Sequence, residues 1–187
     1  MTEIILVLRR EHGNITKLLT ALERQIAVLD RAGEPVYDII DGVIDYLLSY
    51  PDLYHHPKEE LVFAKLRERD PAAIETVGDL KLEHEQLASR AREFAAGVRT
   101  ALERAAPPRG SLGQWTQNFI DLQMRHLEQE ERVFFPEALK ALTSEDWAEL
   151  EAKMTDEDDP LFGGNVGERY KALHREILDW DRQNERR

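Results

Sequence analysis

His55-His56-Pro57-Lys58-Glu59-Glu60-Leu61-Val62-Phe63 and His126-Leu127-Glu128-Gln129-Glu130-Glu131-Arg132-Val133-Phe134 share one pattern: His, three residues, Glu-Glu, one residue, Val-Phe. Each stretch follows a further histidine, His12 lying 43 residues before His55 and His84 lying 42 before His126. Coincidence would have to strike twice to produce this match. The chain therefore reads as two copies of one hairpin, each supplying a His and then a His-x-x-x-Glu.

Helical periodicity surrounds both copies. His12 belongs to the stripe Ile5, Leu8, His12, Ile15, Leu19, Leu22, Ile26 and Leu29, whose steps of three and four trace one helix face. His84 belongs to a matching stripe through Ile74, Val77, Leu80, Leu87, Ala91, Phe94 and Val98. Further helices are expected over residues 36–67, 72–105 and 112–142, the last carrying Trp115, Phe119, Leu122, His126, Glu130 and Val133. Gly33 with Pro35, Asp70-Pro71 and the turn at 106–111 separate them. No sustained period-two alternation signals a strand. The expected fold is all-α, an up-down-up-down four-helix bundle over residues 1–142.

Residues 143–187 read as a helical extension. Thr143 or Ser144 is positioned to cap a short helix over 145–153. An acidic, glycine-bearing loop over 155–167 follows, with Pro160 where a calcium loop needs its third ligand. A final helix over 168–184 aligns Tyr170, Leu173, Ile177 and Trp180 on a face that covers the bundle. Trp115 and Trp147 also read as packing residues, and His174 as a local hydrogen-bonding group.

The chemistry follows from where the polar residues fall. Helix positions four apart share a face, with Cβ atoms about 5–6 Å apart, so His55/Glu59 and His126/Glu130 each reach one metal region. His12 and His84 stand where the spacing calls for Leu. A buried polar group without a partner costs about 1–3 kcal/mol, so these groups require a common one. A pair of transition-metal ions supplies it. Imidazole nitrogen and carboxylate oxygen suit iron, with manganese or zinc as substitutes. His56/Glu60 is an alternative register at the same spacing. Adjacent helical residues differ by about 100°, so one pair alone points inward. Alignment with the second copy favours His55 and Glu59, leaving His56 and Glu60 an outer or surface role. Pro51 and Pro57 each remove a helical hydrogen bond, so a kink that aims His55 is expected there. Tyr54, Phe63 and Phe119 are candidates for a pocket wall as well as for plain core.

Composition narrows the function. With 37 acidic against 25 basic residues, a net charge of -12, the chain is a poor match for nucleic-acid phosphate or an anionic membrane surface. The absence of cysteine excludes thiol catalysis, disulfides and cysteine-held zinc or iron–sulfur clusters. The apolar run at residues 4–8 is too short for a membrane span. A soluble, cytoplasmic protein is expected.

Over about residues 5–140, the paired His…His-x-x-x-Glu hairpins resemble the hemerythrin-like (HHE cation-binding) family. That resemblance implies His12, His55, Glu59, His84, His126 and Glu130 as ligands. It also implies two non-haem iron ions, bridged by both glutamates and an oxo or hydroxo group. Oxygen-carrying members hold an extra histidine where this chain has Leu80. The four-His, two-Glu set is similar to the bacterial branch implicated in iron–sulfur repair and in iron or nitric oxide handling. That branch often carries an N-terminal cysteine-containing segment, and this chain has no cysteine. The implied function is binding or sensing of dioxygen, nitric oxide or peroxide at iron, or iron handling. A peroxidase, oxidase or nitric oxide reductase is the enzymatic alternative, and an iron-responsive regulatory module is a third. The Glu-x-x-His of ferritin-type bundles does not occur.

Overall fold

A computed structural model describes residues 2–31, 33–103, 111–154 and 159–184. Most of the 106–111 turn, residues 155–158 of the acidic loop and the side chain of Trp180 lie outside the described residues. The described chain is all-α and holds no strand. Helix α1 is Glu3–Asp30. Helices α2 (Tyr37–Leu47) and α3 (His56–Arg69) flank a π-helical turn at Pro51–His55. Next come α4 (Pro71–Val77) and α5 (Leu80–Glu103), then α6 (Ser111–Gln129), a second π-turn at Glu130–Phe134, and α7 (Phe135–Ala141). Helix α8 is Ser144–Glu151, and a single 3-10 turn at Glu168–Tyr170 leads into α9 (Lys171–Asn184).

Three of the four expected continuous helices are thus interrupted, each for a local reason. Gly78 adopts φ 87, a left-handed conformation that an L side chain resists, and it separates α4 from α5. The π-turns each end two residues before a proline, Pro57 and Pro136. A proline ring crowds the carbonyl four residues back and offers no N–H. Widening the preceding turn relieves this: the His56 N–H donates to the Pro51 carbonyl, and the Phe135 N–H to the Glu130 carbonyl. The kink expected near His55 therefore takes the form of a widened turn. Its counterpart before Pro136 had no expectation attached.

Helix α1 packs on α2 and α6, α5 packs on α6, and α2 and α3 pack on α5, closing a ring of four rods. Two apolar clusters fill it. One gathers Leu18, Leu22, Tyr46, Phe94, Phe119 and Leu173. The other gathers Ile5, Leu8, Val62, Leu66, Phe134 and Trp147. Between them, in the middle of every rod, lies a layer of histidine and glutamate. Tyr54, Phe63 and Phe119 pack into the flanking clusters.

The C-terminal elements are tied down by specific contacts. Helix α9 lies against α1 and α2, burying Leu173 and Ile177. His174 Nδ1 donates to the Leu161 carbonyl at 3.0 Å. Asp159 accepts from the N–H groups of Leu161 and Phe162 and from the Tyr46 hydroxyl. No described helix is long and apolar enough to cross a membrane. Thr143 caps α8 in a reciprocal box with Asp146. Arg69 grips Asp146 through two nitrogens, at 2.9 and 2.7 Å. The guanidinium, with the Thr143 N–H, holds the Asp146 carboxyl down to about 2.

A carboxyl depressed in the folded state contributes stability above its unfolded value, about 3.9, and loses it as pH falls through the folded value. Wild-type chain should therefore outlast Asp146→Asn in urea at pH 7. The gap should narrow from about pH 4 and close near pH 2. Equal midpoints for the two chains at pH 7 would refute the clamp.

Candidate metal centre

The polar layer draws one to three residues from each rod. His12 comes from α1, His55 from the last position of the first π-turn, and His56 and Glu59 from the start of α3. His84 comes from α5, His126 from α6, and Glu130 opens the second π-turn. All seven are buried, the two glutamates completely. Donor atoms of His12, His55, Glu59 and Glu130 lie within 4.8 Å of one another, as do those of His56, Glu59, His84 and His126. Glu59 belongs to both groups. Glu130 also spans them, lying 3.4 Å from His12 Nε2 and 3.1 Å from His126 Nε2.

His56 departs from the expectation that one register alone faces inward. His55 and His56 are both buried, and the His56 ring stacks on His84 at 3.9 Å. The π-turn that ends at His55 is the cause: with more residues per turn, consecutive side chains diverge by a smaller angle. Glu60 is exposed, its carboxylate 3.9 Å from His84 Nδ1. The second copy holds Leu127 in place of His56, and Leu127 joins the apolar cluster. The repeat therefore carried no signal for His56.

A second ring of carboxylates orients the histidines. His12 Nδ1 donates to Glu131 at 3.1 Å, His55 Nδ1 to Glu11 at 2.8 Å and His56 Nδ1 to Asp52 at 3.1 Å. Glu83 stands 3.5 Å from His126 Nδ1, a looser approach like that of Glu60 to His84. An ionised carboxylate only accepts, so the bonded Nδ1 carries a proton, and once the ring is neutral Nε2 presents its lone pair inward. Four of the five obey the repeat. Glu11 and Glu83 precede His12 and His84 and serve the second histidine of their own copy. Glu60 and Glu131 follow Glu59 and Glu130 and serve the first histidine of the other copy. The Glu-His doublets at 11–12 and 83–84 were the sequence signal for this ring.

The inward atoms face only one another. His55 Nε2, His126 Nε2, Glu59 Oε2 and Glu130 Oε2 are buried without a hydrogen bond. Buried polar atoms are otherwise almost always satisfied, and this nitrogen–oxygen set suits a transition-metal cation. Burial alone would drive charge off these groups. For His55 it is outweighed by Glu59 and Glu11, which push the imidazole up to about 10. Glu130 and Glu83 push His126 up to about 9. Burial and the neighbouring His84 ring lower His56. The His55 charge and three imidazole contacts hold Glu59 well below the carboxylate range despite its burial.

Two cavities adjoin the layer. One of about 20 Å³, bounded by Ile15, His55, His56, Leu87, His126 and Leu127 among others, has room for a single water-sized molecule. The other, of about 620 Å³, opens beside His12 between Arg9, Arg125 and Glu131. Gly13 leaves space free there.

Such a ring of helices, closed on two buried histidine–glutamate groups that share a carboxylate, defines a cation-binding helical bundle. The model of the hemerythrin HHE cation-binding domain matches residues 3–138, and the chain belongs to that family. No curated protein and no solved structure matches it.

A metal takes neutral imidazole, so uptake must expel the protons that His55 and His126 hold at neutral pH. Adding zinc to weakly buffered metal-free protein at pH 7.5 should release about two protons per chain, read with an indicator dye. The release should fade, and affinity level off, as pH passes about 9 and then about 10. Metal uptake with no acidification at pH 7.5 would contradict the electrostatics described.

Proposed function

We propose that the chain is a non-haem di-iron protein whose centre binds a small ligand, of the size of dioxygen, nitric oxide or peroxide. The observation that carries this reading is the sharing of Glu59 and Glu130 between two histidine groups. His12 and His55 would hold one ion, and His56, His84 and His126 the other, with both glutamates common to the pair. Two carboxylates at zero exposure offset two charges of the ions, and the Nδ1-bonded carboxylates strengthen the imidazoles as donors. When bound, the irons supply electrons and open coordination positions to the ligand.

The chain's own residues shape what reaches the centre. With two histidines against three, an ion held by His12 and His55 would meet fewer protein donors and leave more positions for an outside ligand. The open cavity has His12 in its wall, whereas the 20 Å³ space beside His55, His56 and His126 is bounded by Ile15, Leu87 and Leu127 together with Asp52 and Gln123. Arg9 donates to Glu131 at 2.9 Å, and Glu131 accepts from His12, so the rim of the wider cavity also fixes the His12 ring.

The test is metal counting by site. Anaerobically loaded protein should hold about two irons per chain. His12→Leu should lose one, whereas Glu59→Ala or Glu130→Ala should lose both, because each glutamate serves two ions. Glu131→Gln keeps the ligand set and should weaken loading about 10–100-fold. A chain that takes up no iron, or keeps both ions without Glu59, overturns the reading.

A further inference from the structure

Three buried tyrosines lie on one side of the centre, and each phenol meets a carboxylate. Tyr50 donates to Glu11 Oε1 at 3.0 Å, and Glu11 Oε2 accepts from His55 Nδ1 at 2.8 Å. The Tyr50 phenol is thus two hydrogen bonds from an imidazole whose other nitrogen faces the metal position. Tyr46 stacks on Tyr50, with ring centroids 4.9 Å apart and planes at 22°, and donates to Asp159 at 2.8 Å. Tyr170 lies 6.1 Å from Tyr46 and donates to Asp45 at 2.9 Å.

Phenylalanine would fill these places without requiring an acid beside each ring, and at Tyr50 that acid, Glu11, is itself buried and also accepts from Lys58. The arrangement supplies what one-electron oxidation of a phenol needs, a hydrogen-bonded base at proton-transfer distance. Desolvation and the adjacent acids raise all three phenols, Tyr170 to about 12 and the others beyond, so each loses its proton only along with an electron. Tyr50, Glu11, Lys58 and Asp159 also line an open cavity of about 1000 Å³, where a dissolved reductant reaches Tyr50 directly and Tyr46 through the stack on it.

We infer that Tyr50 and Tyr46 form an electron relay between the metal centre and this cavity, through which the centre reduces hydrogen peroxide. The inference rests on the di-iron reading above. The O–O bond of one peroxide breaks, and two electrons with two protons turn it into two waters. Tyr50 and Tyr46 each give up one electron and one proton, Glu11 and Asp159 taking the protons first, and two tyrosyl radicals remain. A small one-electron donor in the cavity, a thiolate or an ascorbate-type enediol, restores the phenols.

The experiment uses the full chain loaded with iron, mixed with an equivalent of hydrogen peroxide and frozen for electron paramagnetic resonance. A tyrosyl signal is expected, narrowed when ring-deuterated tyrosine is incorporated. A nitroso spin trap should mark peptides carrying Tyr46 or Tyr50 in the wild-type chain, so localisation does not depend on a variant folding. Tyr50→Phe should lose most of the signal, whereas Tyr37→Phe, at an exposed ring away from the path, should keep it. Iron bound at full occupancy with no tyrosyl signal, a signal unchanged in Tyr50→Phe, or trapping at Tyr54 alone overturns the relay. Failure to bind iron shows first in metal counting and overturns the di-iron reading along with the relay.

Discussion

Glu59 and Glu130 lie without solvent exposure at the middle of a bundle that is apolar above and below them. Isolated carboxylates there would carry a desolvation penalty of several kcal/mol each, far more than the surrounding packing tolerates. Most other features of the layer answer that constraint. Imidazole nitrogens within 3.1–3.5 Å face the two acids from every rod. A further ring of carboxylates then faces the imidazoles. Negative, positive and negative shells alternate outward, and the innermost atoms are left over for a cation.

The π-turns are the backbone's part in the same arrangement. An uninterrupted helix through His55 and Glu59 would present those two residues and turn His56 aside. Widening the turn before Pro57 brings His56 into the layer as well. In the second copy the widened turn comes later and begins at Glu130 itself, so His126 and Glu130 straddle a change of helical pitch. A proline two residues past each π-turn is a local steric cause, and because the first copy has His56 where the second has Leu127, three histidines lie on one side of the shared glutamates and two on the other.

The sequence made the layer legible because a repeat is visible without knowing any distance. Four histidines and two glutamates at matched spacing, set in apolar stripes, were enough to bring six of the seven buried layer residues into one reading. His56 escaped because its counterpart, Leu127, breaks the repeat and because an ideal helix forbids adjacent residues one face. The outer carboxylates escaped for another reason. Glu131 looks like an ordinary solvated acid among 37, and the Glu-His doublets at 11–12 and 83–84 mark Glu11 and Glu83 without showing which ring each one reaches. Helix breaks at Gly78 and before Pro136 were likewise hidden, since the apolar period continues across both.

Comparing the two hairpins separates what the site requires from what only one copy has. The shared elements, His, His-x-x-x-Glu and the flanking acids, are those that hold and orient donors. The differences fall next to them. Lys58, which reaches Glu11 at 2.5 Å, is matched by Gln129, which turns away to the Val77 carbonyl. Tyr54, beside the stacked tyrosines, is matched by Arg125, which lines the cavity beside His12. One hairpin therefore surrounds the centre with phenols and a buried lysine, the other with a charged opening to solvent. A symmetric core between unlike flanks has a direction, from the phenol side to the cavity beside His12.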